Sequence, residues 1–347
     1  MRRSLYKLLL PLTTIWLCGC ATLQSTANTH GPAARSIGHL SRTMDIGFLV
    51  TTFVMWGLLV IALKKRPGSL KEHMPIDVGG GQLWIAIGGL AVPLLVLSVL
   101  FFLGLELLSD FPIHGMHGGM HAKSGMAVPK PDIVIVGHQW WWEIHYLGGD
   151  FDQQFTTANE IHIPAHRAVN IELRSDDVMH SFWVPSLHGK VDLVPGHPNF
   201  IRIEASEPGE YFGECAEYCG EQHAHMRILL VAQEPADYDA WLSDQRKPGA
   251  QPVNSEAIGG QQAFLAGPCA NCHTVRGTQA GGQVAPDLTH VGSRRYIGGN
   301  SFQNNDGYLE AWITNAQSLK PGCKMPNITQ YNGIQLRSLM AYLHQLQ

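Results

Sequence analysis

The chain is 347 residues long, enough for more than one domain, and 15% of it is charged against 45% apolar, with a net charge of −4. That balance leaves room for membrane spans, and the lack of any basic block argues against a nucleic-acid partner. Seven cysteines, at positions 18, 20, 215, 219, 269, 272 and 323, fall in tight pairs plus one, a spacing that says cofactor more than disulfide framework.

Residues 1–20 read as an export signal, because Arg2, Arg3 and Lys7 precede the apolar run from Leu8 to Leu17. Leu17-Cys18-Gly19-Cys20 resembles a lipoprotein cleavage box with Cys20 as the lipidated residue; a plain signal or an uncleaved anchor is the alternative. Residues 21–110 then hold an N-terminal segment and two apolar runs, 44–63, of the ~20 residues that a bilayer helix needs, and 83–108, which is longer still. Lys64, Lys65, Arg66 and Lys71 between them put that loop on the cytoplasmic side, so the chain beyond the second span emerges outside. Pro93 predicts a bend in the second span. Residues 111–130 are rich in His, Met and Gly, including His114, Met116, His117 and Met120. These are copper donors without fixed geometry, and the segment reads as a flexible linker, with transient copper loading as the alternative.

Residues 131–247 change to short alternating runs, such as Ile133 to Val136, Ile161 to Ile163, Val169 to Leu173 and Phe200 to Ile203, punctuated by Pro and Gly. This predicts an all-β sandwich or barrel, closed by a short helix around Trp241 and Leu242. Trp140, Trp141 and Trp142 are adjacent; on a strand they would alternate between faces, so at least one would be exposed or line a partner surface. The segment Cys215-Ala216-Glu217-Tyr218-Cys219-Gly220-Glu221-Gln222-His223-Ala224-His225-Met226 lies between two such runs. It offers two thiolates, imidazole and a thioether, a donor set suited to copper. An ordinary mononuclear copper site needs one cysteine, whereas two close thiolates can bridge two copper ions. His180, in Asp177-Val178-Met179-His180-Ser181-Phe182, supplies a further ligand. A Cys215–Cys219 disulfide and a zinc site of two Cys and two His are the alternatives on residues alone.

The pattern Cys-x-Glu-x-Cys-x-x-x-His-x-x-Met, with Asp-Val-x-His-Ser-Phe before it, resembles subunit II of the haem-copper cytochrome c oxidases. The resemblance implies a cupredoxin-like β-sandwich with a dinuclear copper (CuA) centre. In it Cys215 and Cys219 bridge, His180 and His223 are the imidazoles, and Met226 and the Glu217 carbonyl are weak ligands. The Glu217 side chain would face a magnesium ion shared with the large subunit, near Lys190 and Asp192. Trp140 would be the point at which electrons reach the copper, with a packing role beneath the metal loop as the alternative. His225 has no counterpart among the ligands and reads as a surface histidine. In one departure, Gly81, three residues before Trp84, stands where the family usually has a glutamate at the mouth of a proton path. That role is therefore not carried over.

Residues 248–254 read as a linker with a flexible reach of ~15 Å, and residues 255–347 as an all-α domain. Cys269-Ala270-Asn271-Cys272-His273 is the attachment motif for covalent haem c, with His273 as an axial ligand. Met325, in Lys320-Pro321-Gly322-Cys323-Lys324-Met325-Pro326, would be the other, a Met/His pair that raises the reduction potential. His290 is the rival. Helices are predicted from Ser255 to Ala266 and from Asn332 to Gln345, Ala285 to Leu288 resembles the cytochrome c segment over the haem, and Cys323 reads as an inert thiol.

The whole mature chain thus resembles an oxidase subunit II with a fused C-terminal cytochrome c. The resemblance implies a multi-pass protein of the bacterial inner membrane, with copper and haem domains on the periplasmic or extracellular side. Its electrons would come from a cytochrome c or a bc1 complex. They would go on to subunit I, where oxygen is reduced to water, with subunit III a further partner. An electron-delivering subunit of a CuA-containing nitric oxide reductase and a membrane-anchored shuttle are the alternatives. Quinol oxidase subunits lack the copper cysteines and are excluded by Cys215 and Cys219.

Overall fold

The structure, a computed structural model, describes residues 24–65, 81–110, 130–150 and 153–347. The signal segment with Cys20, the loop residues Arg66 and Lys71, and nearly all of the His/Met/Gly segment lie outside the described residues.

The two apolar runs form helices, α1 (Pro32–Lys65) and a second rod made of α2 (Gln82–Ala86), a π-turn (Ile87–Ala91) and α3 (Val92–Asp110). Both are long and apolar enough to cross a membrane. Large apolar side chains such as Phe48, Trp56, Leu97 and Phe102 stay exposed along them, as expected of surfaces that face lipid or other subunits. The π-turn lies just before Pro93, which has no N–H to give and whose ring crowds the carbonyl four residues back. The wider turn absorbs that conflict, so the deviation predicted from Pro93 takes this form.

Two five-stranded sheets make the β-domain. One has the order β3-β2-β1-β5-β8 and the other β4-β10-β9-β6-β7. The strands are β1 (Ile133–His138), β2 (Trp141–Tyr146), β3 (Phe155–Ala158), β4 (Glu160–Pro164), β5 (Val169–Ser175), β6 (His180–Trp183), β7 (Val191–Leu193), β8 (Asn199–Ile203), β9 (Gly209–Cys215) and β10 (Arg227–Gln233). Inward residues such as Ile135, Ile144, Ile171, Phe182 and Leu230 are fully buried between them. The helix α4 (Pro235–Gln245) closes one end, where Trp241 stacks on His162 with ring centroids 4.0 Å apart.

The tryptophans require a correction. Trp140 precedes β2 in a turn and is itself buried, so strand alternation governs only half-buried Trp141 and buried Trp142. Glu143 on β2 faces two histidines, 2.9 Å from His138 Nε2 and 3.5 Å from His145 Nε2. Burial alone would raise its pKa, but those imidazoles outweigh burial and bring it down to about 2.

The C-terminal helical domain is α5 (Ser255–Ala266), the single-turn α6 (Cys269–Cys272), α7 (Asp306–Leu319) and α8 (Gly333–Gln345). Asn254 caps α5, and Asn332 caps α8 in a reciprocal capping box with Gln335. The first and last helices cross at Gly260, where a Cβ would overlap the Ser338 carbonyl oxygen and lie 2.8 Å from Tyr342 Cβ.

The segment between the two domains is not the loose tether its composition suggests. Gly249 N–H donates to the Arg276 carbonyl, and Val253 N–H to Gln345 Oε1. The domains also bond directly. The buried Arg294 guanidinium donates to Thr157 Oγ1 at 3.1 Å, and Asn300 Nδ2 donates to the Asn159 carbonyl at 2.6 Å. Arg295 N–H donates to Glu160 Oε2. All five residues of β4 are buried, where a sandwich strand would ordinarily alternate: the helical domain covers Glu160, and Trp241 covers His162.

Gly260→Ala should destabilise the helical domain by about 1–3 kcal/mol through overpacking, read as a lower midpoint in thermal unfolding. Glu143 binds its proton less readily folded than unfolded, so its contribution is complete above its ordinary value of 4.5 and is lost as pH falls toward about 2. The stability gap between wild type and Glu143→Gln should therefore close over that window in acid titrations.

Candidate functional site

Strand pairing brings the first site together. Phe182 on β6 lies opposite Cys215 on β9, which sets His180 beside the loop that runs from Cys215 to β10. His180 Nε2 bonds Asp177 Oδ1 at 2.7 Å, leaving Nδ1 to face Cys215 Sγ at 3.9 Å. This is the usual orientation of a metal-binding imidazole by a carboxylate behind it. Gly137 makes room for that ring, since a Cβ there would lie 2.8 Å from His180 Cδ2.

Cys215 Sγ and Cys219 Sγ are 3.7 Å apart, far beyond the ~2.05 Å of a disulfide, and both cysteines are buried. Cys219 Sγ lies 3.7 Å from His223 Nδ1 and 3.9 Å from Met226 Sδ, while Cys215 Sγ lies 3.2 Å from the Glu217 carbonyl oxygen. Ligand atoms of His180, Cys215 and Cys219 lie within 4.8 Å of one another, a group that does not include His223. Thiolate, imidazole and thioether around one buried point fit copper. The thiols interact strongly: Cys215 is held well below the ordinary thiol range, first by the hydrogen bond with Cys219, and Cys219 is pushed up in turn. A metal that needs both thiolates would release the Cys219 proton on binding.

The Glu217 side chain is on the exposed rim, 3.4 Å from Lys190 Nζ, which also lies 3.7 Å from Asp192. Tyr218 beside it is 74% exposed. His225 is exposed, and its ring bonds Gln222.

The second site is a cavity of about 300 Å³ in the helical domain, lined by Cys269, Cys272, His273 and Met325 among apolar side chains such as Leu309 and Leu339. The single turn of α6 puts the cysteines three apart on one helix face. His273 Nδ1 donates to the Pro286 carbonyl at 2.7 Å, which fixes the tautomer, and burial lowers its pKa so that the ring is neutral. Two thiols, a neutral imidazole and a thioether on an apolar cavity fit a covalently attached haem c. His290, the rival ligand, is bound to the Gln347 and Lys247 carbonyls and does not line the cavity. Cys323 does line it, and Gln317 Nε2 holds the Cys323 and Met325 carbonyls at 2.7 and 2.6 Å.

The two sites adjoin. Gln139, Trp140 and Trp141 of the β-domain line the same cavity. Trp140 Nε1 donates to the Cys219 carbonyl at 3.0 Å, and Gln139 Nε2 to the same oxygen at 2.8 Å. Asp177 stands in a recognised motif and Gln139 directly before the tryptophans, yet sequence reasoning gives them no role. Their signal is the need of every buried ligand or loop carbonyl for a polar partner.

Residues 148–233 match the family described as cytochrome c oxidase subunit II, periplasmic domain, and residues 257–347 match cytochrome c. Cytochrome c oxidase subunit 2 of Alkalihalophilus pseudofirmus is 34% identical over 351 residues, covering 97% of this chain and 96% of that protein. Its counterpart in Bacillus subtilis is 27% identical, covering 92% and 90%. Among solved structures, the periplasmic domain of subunit II of cytochrome oxidase of Bradyrhizobium japonicum is 27% identical and covers 35% of this chain and 97% of that one, with a TM-score of 0.32. The copper-type donor set, the haem c cavity, the two apolar helices and a relative this similar over nearly its whole length lead to one conclusion: the chain belongs to the cytochrome c oxidase subunit II family, as a membrane-anchored subunit with a C-terminal cytochrome c domain.

Proposed function

We propose that this subunit receives electrons at its cytochrome c domain and delivers them, through a dinuclear copper centre, to the catalytic subunit I of a respiratory oxidase. When bound, haem c and the copper pair supply the one-electron carriers for that passage. The protein's own part is to hold them close together, dry and fixed. Cys269 and Cys272 would carry the haem, with His273 and Met325 as its further ligands. Cys215 and Cys219 would hold the copper pair together with His180, His223, Met226 and the Glu217 carbonyl.

The observation that carries this reading is the cavity wall shared by Trp140 and the haem-binding residues, with the Trp140 indole bonded to the Cys219 carbonyl. It favours Trp140 as the place where electrons reach the copper loop. A two-metal centre is favoured by the position of His223. A single tetrahedral ion gathers four ligands around one point, whereas here each sulfur has its own imidazole, His180 Nδ1 3.9 Å from Cys215 Sγ and His223 Nδ1 3.7 Å from Cys219 Sγ. The exposed rim of Glu217, Lys190 and Tyr218 suits contact with subunit I, and Glu217 would face the magnesium ion there. A cytochrome c or bc1 complex would be the donor, subunit III a further partner, and the bacterial inner membrane the site, with both redox domains on its outer side. Gly81 offers no carboxylate for proton uptake, so a group outside this chain would serve.

Electron paramagnetic resonance of the copper-loaded protein should show hyperfine structure from one unpaired electron shared equally by two nuclei, alongside a pyridine spectrum of c-type haem. Zinc, or the pattern of an isolated copper ion, would contradict the reading. Co-purification with an oxygen-consuming subunit separates it from a nitric oxide reductase.

Substitution at the haem should separate the two candidate ligands. Met325→Leu should shift the haem spectrum and lower its potential, while His290→Gln should leave the spectrum unchanged.

A further inference from the structure

Lys320 caps the C-terminal end of α7 and opens the turn that carries Met325, yet its side chain is buried. Its Nζ donates to the carbonyl oxygens of Trp140 at 2.7 Å, His225 at 2.7 Å and Gly298 at 3.0 Å. An ammonium has three hydrogens and nothing to accept with, so every donor is used. A neutral amine in the same seat would turn a lone pair onto a carbonyl oxygen. Burial pulls the Lys320 pKa down to about 7, and the three carbonyls favour the charged form against it. The seat is shaped around this group. At Gly299, where φ is +73, a Cβ would lie 2.5 Å from Lys320 Nζ and 2.9 Å from the carbonyl oxygens of both Trp140 and His225.

The acceptors belong to the two sites that must communicate. Trp140 holds the Cys219 carbonyl, and His225 directly precedes Met226 in the copper loop. Gly298 and Lys320 itself line the haem cavity. Adjacent bonds reinforce the junction: Gln222 Nε2 donates to the Pro321 carbonyl at 2.9 Å, and Ser301 Oγ to the His225 carbonyl at 3.1 Å.

We propose that Lys320 is a positioning residue for electron transfer within this subunit: its ammonium fixes the Met325 turn against the copper loop and sets one buried positive charge beside both carriers. The proposal rests on the haem-to-copper route given above. A buried positive charge favours the state with one more electron, so it raises the reduction potential on either side of it. No covalent bond changes; only the electron moves, and Lys320 holds the geometry across which it does so.

The test uses the full-length protein with haem and copper bound, as wild type, Lys320→Met and Lys320→Arg. Midpoint potentials, the rate of haem-to-copper transfer after photoreduction and amide exchange over residues 222–227 are measured on each. Lys320→Met, with full haem and copper content, should lower both potentials and exchange faster in that loop. Its transfer should be about 10- to 100-fold slower, as for a misplacement of about 1 Å. Lys320→Arg, which keeps the charge, should lie closer to wild type. Unchanged potentials and rate in a fully loaded Lys320→Met protein would overturn the proposal and leave the route intact. No transfer in the wild type would overturn the route and the proposal with it. Should Lys320→Met fail to fold, acylation of amines on the loaded wild-type protein decides: Lys320 should be protected while exposed Lys324 reacts, and equal labelling of the two would overturn the proposal.

Discussion

Two sulfurs held 3.7 Å apart in a loop of a few residues set the terms for the rest of the molecule. Two thiolates that close repel each other and take up protons unless metal ions lie between them, so the surroundings must hold the loop in place without the metal's help. Pairing of β9 with β6 and β10 anchors the start of the loop, and Cys215 N–H donates to the Met226 carbonyl, closing it at the far end. Gln139 and Trp140 hold the Cys219 carbonyl from the side. Ligands arranged in this way need move little when an electron arrives.

The second constraint is that the helical domain lies over Glu160 at the start of β4 and over Trp140. Buried polar groups are costly unless paired, and at this junction Glu160, Arg294, Asn300 and Lys320 find partners across it. The junction is therefore specific: a shifted docking would leave charges without partners. It also means that Trp140 is covered by the chain's own cytochrome domain. Fusion here does more than raise an effective concentration, because it fixes one orientation.

Much of this is legible in the sequence, and the reason is locality. The Cys215 to Met226 motif, the Cys269 to His273 motif and the apolar spans each carry their chemistry within a few turns of chain. The capping residues Asn254 and Asn332 similarly mark helix ends that agree with expectation. The features that escape sequence reasoning depend on residues far apart in the chain. The composition of residues 248–254 suggests a free tether, but nothing local shows that Gly249 will bond Arg276 or that the two domains will share buried charges. Three aromatics in a row look like a strand; the turn before β2 removes Trp140 from the alternation. Lys320 stands in a recognised motif as one more lysine, and its role depends on Trp140 and His225, which belong to the other domain.

Bound by the residues proposed for them, haem and copper would form one fixed unit, because these contacts join the two domains without a docking step. Photoreduction of the haem in the full-length loaded protein, followed by the appearance of reduced copper at increasing solvent viscosity, tests this most directly. A single rate independent of viscosity and of salt is predicted. A rate that falls as viscosity rises would mean that the cytochrome domain swings on a tether before each transfer, and would contradict the account.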